Sequence, residues 1–141
     1  KVNAVTFIEN KTNYDEYITS ERRASELAVY HGGFLSPQKR KLFAKIAAGL
    51  PKDVNVSFWA DIDLGGFRMF ERLQQIFPGL EPMRMSAEDV EAHRANGLKR
   101  DTAYLSKLRA ALDAGEFPLF QEAGEAILKY GVSIEQEAFL T

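Results

Sequence analysis

Short apolar runs alternate with longer stretches of helical period through the first half of the chain. Residues 2–8 (VNAVTFI) are β-branched and apolar enough for a buried strand. Asn13, with Glu16 three positions later, predicts a capping box that opens a short helix through Tyr17. Residues 26–30 (ELAVY) predict a second strand, ended by His31, Gly32 and Gly33. Ser36 and Pro37 supply an N-cap and a first-turn proline. The helix they open carries Leu42, Phe43, Ile46, Ala47 and Leu50 on one face and stops near Gly49 and Pro51. Residues 54–60 (VNVSFWA) make a third strand, with Asp61, Ile62 and Asp63 at its carboxyl end. Gly65 and Gly66 lead into a helix that turns Phe67, Phe70, Leu73 and Phe77 inward, stopped by Pro78 and Gly79. Residues 80–85 predict a fourth strand, which Pro82 sends to a sheet edge. Ser86 and Asp89 cap a helix through Ala95.

The remainder is helical. Tyr104, Leu105, Leu108, Ala111 and Leu112 form one stripe, and Pro118 opens a second carrying Leu119, Ala123, Ala126, Ile127 and Tyr130. Gly131 closes it, and Ser133 with Gln136 predicts one more capping box before a final turn. No repeat, low-complexity tract or linker interrupts the chain. Strand–helix alternation with short loops predicts an α/β fold, a mostly parallel sheet of about four strands flanked by helices with a helical C-terminal part.

Length and composition narrow this picture. The 141 residues suit one domain, and a hydrophobic content of 45% is ordinary for a globular core. Cysteine is absent, which excludes disulfides and thiolate zinc sites and suits a reducing cytoplasm. No apolar run approaches the roughly 20 residues of a membrane span. Lys1 stands where Met would, with a strand-like stretch following at once, as expected of a piece of a longer protein. The net charge of −2 argues against autonomous tight DNA binding, which draws on phosphate neutralisation. It leaves room for a catalytic module that other domains deliver to DNA.

In open parallel sheets functional groups gather beyond the carboxyl ends of strands. Glu9 follows one apolar run there, and Asp61 and Asp63 follow another. In extended backbone, residues two apart face the same side, roughly 6.5–7 Å from one another. Two like charges at 4 Å and an effective dielectric near 20 cost about 4 kcal/mol. A protein relieves this by protonating an acid, by adding Arg or Lys, or by binding a hard cation such as Mg²⁺. The plainer reading is turn chemistry, with Asp63 as the N-cap of the Gly65 helix; spacing alone balances the two. Gly65 and Gly66 permit close backbone approach at a helix N-terminus, for a phosphate or for a tight turn.

Four segments carry a resemblance: IENKTNY (8–14), YHGG (30–33), WADIDLGGF (59–67) and IEQEAF (134–139). Together they resemble the Toprim-type C-terminal domain of the JetD family, the nuclease subunits of Wadjet anti-plasmid defence, across essentially the whole chain. Toprim domains also occur in topoisomerases, primases and overcoming-lysogenization-defect nucleases, and this branch is similar to the topoisomerase VI A subunit. The resemblance implies a single Toprim-like catalytic domain over residues 1–141. It implies that Glu9 matches the first-strand glutamate, that Asp61 and Asp63 match the aspartate pair, and that the ends of strands one and three lie side by side. Those three acids are then the expected catalytic and Mg²⁺-binding residues, with Mn²⁺ able to substitute. Glu135 and Glu137 resemble the terminal acidic motif, as additional metal ligands or as a solvated helix face.

The activity implied is Mg²⁺-dependent phosphodiester hydrolysis in plasmid DNA. The partners implied are an SMC-like ATPase, a kleisin, accessory subunits and a second copy of the chain, with little activity expected of the isolated piece. Topoisomerase relatives attack DNA with a tyrosine on a separate domain; Tyr14, Tyr17, Tyr30, Tyr104 and Tyr130 mostly fall in apolar, core-like patterns here. Lys11, Lys39, Arg40, Gly65 and Gly66 are candidate phosphate contacts, with Lys41, Lys45 and the loop residues Arg22 and Arg23 behind them. Trp59 is expected in the core beneath the site, and His31 and His93 as turn or surface residues. The rival reading is a non-catalytic Toprim-fold module for docking or dimerisation. An aspartyl phosphatase fits less well, because Leu64 and Gly65 follow the Asp-x-Asp where those enzymes place Thr or Val.

Overall fold

The computed structural model describes residues 1–140. The chain divides into two compact units, one of residues 1–59 and 69–83, the other of residues 60–68 and 84 onward.

The first unit holds β1 (Ala4–Ile8), α1 (Lys11–Ser20), β2 (Glu26–Tyr30), α2 (Pro37–Gly49), β3 (Asn55–Trp59) and β4 (Glu81–Pro82). The strands form one sheet in the order β2-β1-β3-β4, parallel throughout. The chain is therefore α/β, consistent with a Toprim-like fold. Register pairs Ile8 with both Tyr30 and Trp59, so the ends of β1 and β3 are neighbours, as the resemblance implied. β1 is central and buried, and its Phe7 ring packs 5.0 Å from Phe43 and 5.0 Å from Phe77. β4 is short and at the edge because Pro82 has no N–H for a ladder.

Local details depart from expectation in instructive ways. α1 begins earlier: Asn10 is its N-cap and accepts from the Asn13 N–H at 3.0 Å, so Asn13 lies inside the helix and not at its cap. Asn10 stands directly ahead of the first turn, where its amide oxygen reaches an orphan N–H donor. α2 starts as predicted, with Ser36 accepting from Lys39 N–H, but Leu42 is 55% exposed while Phe43 is buried. Leu42 is about 100° round the helix from Phe43, at the margin of the 43-46-47-50 stripe. His31 is no surface residue. It continues β2 by one position, its N–H bonds the Ile8 carbonyl, and its ring lies 5.6 Å from Phe43 and 5.0 Å from Phe58. Burial draws its pKa below the ordinary value. Tyr17 is the one tyrosine in the core among the described residues, and Tyr30 is 44% exposed. Trp59 is buried as expected.

α3 (Leu64–Gln74) gives residues 64–68 to the second unit and 69–74 to the first. Phe67, Phe70, Leu73 and Phe77 are all buried. The second unit adds α4 (Ala87–His93), β5 (Leu98–Lys99), α5 (Thr102–Asp113), α6 (Gln121–Tyr130) and β6 (Val132–Ser133). The Ser86–Asp89 capping box is present, and α4 tightens into a 3₁₀ turn at Arg94–Asn96 instead of running on to Ala95 as α-helix. His93 is half-buried, edge-on to Phe139 at 3.9 Å. Leu119 lies in the 3₁₀ turn Pro118–Phe120 ahead of α6 and is 57% exposed. The Phe67 ring stacks on Phe120 at 4.4 Å. The Ser133–Gln136 capping box does not form. Ser133 pairs in β6 against β5, and the closing 3₁₀ turn Gln136–Phe139 follows Glu135 without a side-chain cap. No helix among the described residues is long and apolar enough to cross a membrane.

A buried acid ties β1, α1 and β2 together. Glu26 takes hydrogen bonds from the Thr6 hydroxyl, from the Tyr17 hydroxyl at 2.6 Å and from the Arg23 N–H at 3.2 Å. Burial alone would raise its pKa, but these three donors outweigh burial and hold the carboxyl below its usual value. Burial and Glu26 together push the Tyr17 phenol up to about 12. A group with a depressed folded pKa stabilises above its unfolded pKa and loses that contribution as pH falls through the folded value. Glu26→Gln should therefore cost about 1–3 kcal/mol at pH 7 in urea denaturation. The gap from wild type should close in acid; a gap that stays constant down to pH 3 would contradict this account.

Candidate functional site

The chain leaves β3 at Trp59 and reaches Asp61 through Ala60. Ile62 is then pinned by a two-way backbone bridge: its N–H bonds the Ile134 carbonyl at 2.7 Å, and the Ile134 N–H bonds back at 3.2 Å. Ile62 and Ile134 are both buried, while Asp61 and Asp63, on either side of Ile62, are half-buried. The bridge fixes Ile62 between the two aspartates, and Asp63 lies at the bend that opens α3.

The two acids are held differently. Asp61 Oδ1 accepts the Gln136 backbone N–H at 2.7 Å. Burial nonetheless pushes the Asp61 carboxyl up to about 6, with the Gln136 N–H opposing and the charges of Asp63, Glu137 and Glu135 adding to the rise. Asp63 Oδ1 accepts the Gly66 N–H at 2.7 Å, the N-cap that turn chemistry predicted for α3. Its Oδ2 faces Arg100 Nη2 at 3.4 Å. Capping and cation binding are not exclusive, since an ionised carboxylate accepts at about four positions.

Gly66 is glycine for a reason inside the chain. A Cβ there would lie 1.9 Å from the Asp61 carbonyl oxygen and 3.4 Å from Asp63 Oδ1. The close approach expected for a phosphate is made at Gly66 by the Asp61 backbone, and Gly66 is buried while Gly65 is exposed.

Arg100, Tyr104, Ser133 and Gln136 escaped the sequence reading as site residues. Arg100 Nε donates to Ser133 Oγ at 2.7 Å, and the guanidinium lies 4.2 Å over the Tyr104 ring. The Tyr104 hydroxyl accepts the Leu64 N–H at 3.0 Å, next to the Asp63 cap. Burial raises the Tyr104 pKa, with the Leu64 N–H opposing. Tyr104 fell in an apolar helical stripe, and Arg100 in a break between patterns, so neither carried a signal.

Glu9 follows β1 in the first unit and is half-buried, its N–H bonded to the Trp59 carbonyl at 3.0 Å. Asp61, Asp63, Glu135 and Glu137 belong to the second unit, the two glutamates exposed. Among the described residues, no group of three or more His, Cys, Asp or Glu side chains is arranged to hold a metal ion. A two-carboxylate Mg²⁺ site needs no such group, because Mg²⁺ commonly takes one or two carboxylates and fills its shell with water and phosphate. The oxygen-only donors and the raised Asp61 pKa fit a hard cation of that kind.

The candidate phosphate contacts are mostly engaged internally. Lys11 pairs with Asp15 one turn along α1 at 2.8 Å, which raises its pKa. Lys39 donates to the carbonyls of His31 at 2.8 Å and Phe34 at 3.0 Å. Arg22 donates to the Glu26 carbonyl at 3.0 Å, across the loop between α1 and β2. Arg40 is exposed.

The family described as Wadjet protein JetD, C-terminal, matches residues 1–140. The chain is 30% identical over 139 residues to the Wadjet protein JetD of Bacillus cereus (strain Q1), covering 97% of this chain and 34% of that protein. It therefore spans about a third of the length of this curated relative.

Two outcomes follow from the site geometry. A carboxyl with a raised folded pKa weakens the fold as pH rises from its unfolded pKa to its folded one. In chelator, Asp61→Asn should melt above wild type by about 2–6 °C at pH 8, with the advantage vanishing below about pH 4. An Asn variant that melts lower at pH 8 would refute the burial account. Gly66→Ala should destabilise by about 1–3 kcal/mol, because a backbone carbonyl has to move. A neutral result in urea denaturation would remove that packing argument.

Proposed function

The chain belongs to the Wadjet JetD C-terminal family, and from that premise we propose that it is the DNA-cleaving domain of a Wadjet-type plasmid-defence nuclease. The observation that carries the reading is the Asp61–Asp63 pair: two half-buried carboxylates flanking a pinned residue, one pushed up to about 6. A structural role as turn acids explains Asp63, which caps α3. It leaves Asp61 half-buried with its charge disfavoured, an arrangement that a divalent cation would reward.

Under this reading Asp61 and Asp63 hold Mg²⁺ or Mn²⁺, with Glu9 as third acid on the strength of the resemblance. A bound divalent ion supplies Lewis acidity toward the oxygens of a DNA phosphate. Gln136 N–H and Gly66 N–H fix the planes of the two aspartates, so neither carboxylate has to be reoriented for the reaction. Water attacks phosphorus and one P–O ester bond breaks; the role the resemblance implies for Glu9 is to accept the water proton, and solvent water protonates the leaving oxygen. Glu135 and Glu137 add negative potential at Asp61 and so strengthen its demand for a cation. The partners proposed are plasmid DNA, an SMC-like ATPase, a kleisin, accessory subunits and a second copy of the chain, in the bacterial cytoplasm. The net charge of −2 supports delivery of DNA by other parts of such an assembly.

The decisive experiment is Asp61→Ala in the complete defence system, assayed for plasmid cleavage in Mg²⁺. Cleavage should fall by on the order of a hundredfold or more. Unchanged cleavage sinks the reading and favours a docking or dimerisation module. Calorimetric titration with Mn²⁺ provides a second check, since Glu9→Gln should weaken binding if Glu9 is a ligand.

A further inference from the structure

Asp63 is held in part by a cation. Its side chain is 16% exposed and that of Arg100 is 24% exposed, so their attraction is only partly screened by water. Arg100 is itself built into place, Nε on Ser133 at 2.7 Å and the guanidinium face over Tyr104 at 4.2 Å. Its backbone N–H is tied to the Gly131 carbonyl at 3.0 Å, directly ahead of β6. The bonds are unequal: the grip on Ser133 is short, and the reach to Asp63 Oδ2, at 3.4 Å, is long. The guanidinium can therefore give up Asp63 while keeping Ser133 as a pivot.

We infer that Arg100 is an internal counter-cation for Asp63, competing with a divalent ion for the same carboxylate. Resting on the nuclease reading, the inference concerns what holds Asp63 before the ion arrives. Of the three ways to relieve two close carboxylates, the fold uses an arginine at Asp63. An ion entering beside Asp63 meets the guanidinium charge and has to displace it from Oδ2. Arg100 thus sets the threshold for ion binding as a positioning residue and touches no reacting atom.

The test is Mn²⁺ titration of the protein by calorimetry, with the fold of each variant checked by circular dichroism. Arg100→Gln should bind Mn²⁺ about tenfold more tightly than wild type, and Arg100→Lys, which keeps the charge, should stay near wild type. If wild type binds Mn²⁺ and Arg100→Gln binds no more tightly, the competition is overturned while the nuclease reading stands. If neither binds Mn²⁺, the metal reading falls and takes the competition with it. Should Arg100→Gln fail to fold, the unmodified protein still decides. Mg²⁺ should shift the Arg100 Nε–H resonance in ¹⁵N spectra with the same midpoint as ion binding. A resonance that does not move while the ion binds would overturn the inference.

Discussion

Like charges held close together out of bulk water repel each other, and much of this chain's local design answers to that. Two carboxylates brought near one another in a half-buried setting cost several kcal/mol unless something takes up the charge. Asp61 and Asp63 flank Ile62, which is locked to Ile134. The cost is met unequally. Asp63 has a backbone donor on one oxygen and a guanidinium by the other, while Asp61 accepts the Gln136 N–H and its carboxyl still rises to about 6.

Glu26 makes the comparison within the same molecule. It is nearly inaccessible to solvent, and burial alone would drive its pKa up. Three donors from Thr6, Tyr17 and Arg23 reverse the sign. Asp61 keeps the sign that burial imposes, because the Gln136 N–H is opposed by the charges of Asp63, Glu137 and Glu135. Burial therefore does not separate a structural acid from a functional candidate; the tally of donors against neighbouring charges does. Glu26 is a satisfied brace across the first unit. At Asp61 burial and the neighbouring carboxylates disfavour the charge, and a bound cation would offset both.

How much of this could be read from the residues depends on the range of the interaction. β2 was legible to the residue because ELAVY is bounded on both sides by polar and glycine residues, and the Phe67-Phe70-Leu73 face of α3 followed from period alone. The two acidic strand ends were legible too, since a charge directly after an apolar run needs no partner to be noticed. The tertiary contacts were not. Arg100 reaches Ser133 across 33 positions, and Gln136 reaches Asp61 across 75. Neither spacing leaves a local trace, and β5 and β6, at two residues each, are too short to show alternation. His31 was misjudged because a His-Gly-Gly sequence looks like a turn, while one extra position of β2 carries the ring into the core between Phe43 and Phe58.

The cations tell a related story about DNA. Lys11, Lys39, Arg22 and Arg100 each have a partner within the chain, two carboxylates and several backbone carbonyls among them. A cation already satisfied at home gains less from a phosphate, because the first bond has to be given up before the second forms. What remains exposed, Arg40 among them, is set against a net charge of −2. Nonspecific affinity for DNA grows with the number of phosphates neutralised, so a surface of this kind holds DNA weakly. Under the proposed function, that weakness fits a domain spanning about a third of its relative's length, with the grip on DNA left to the rest of the assembly. A domain that cuts but holds poorly on its own would act only where DNA is presented to it, which separates the chemistry from the choice of target.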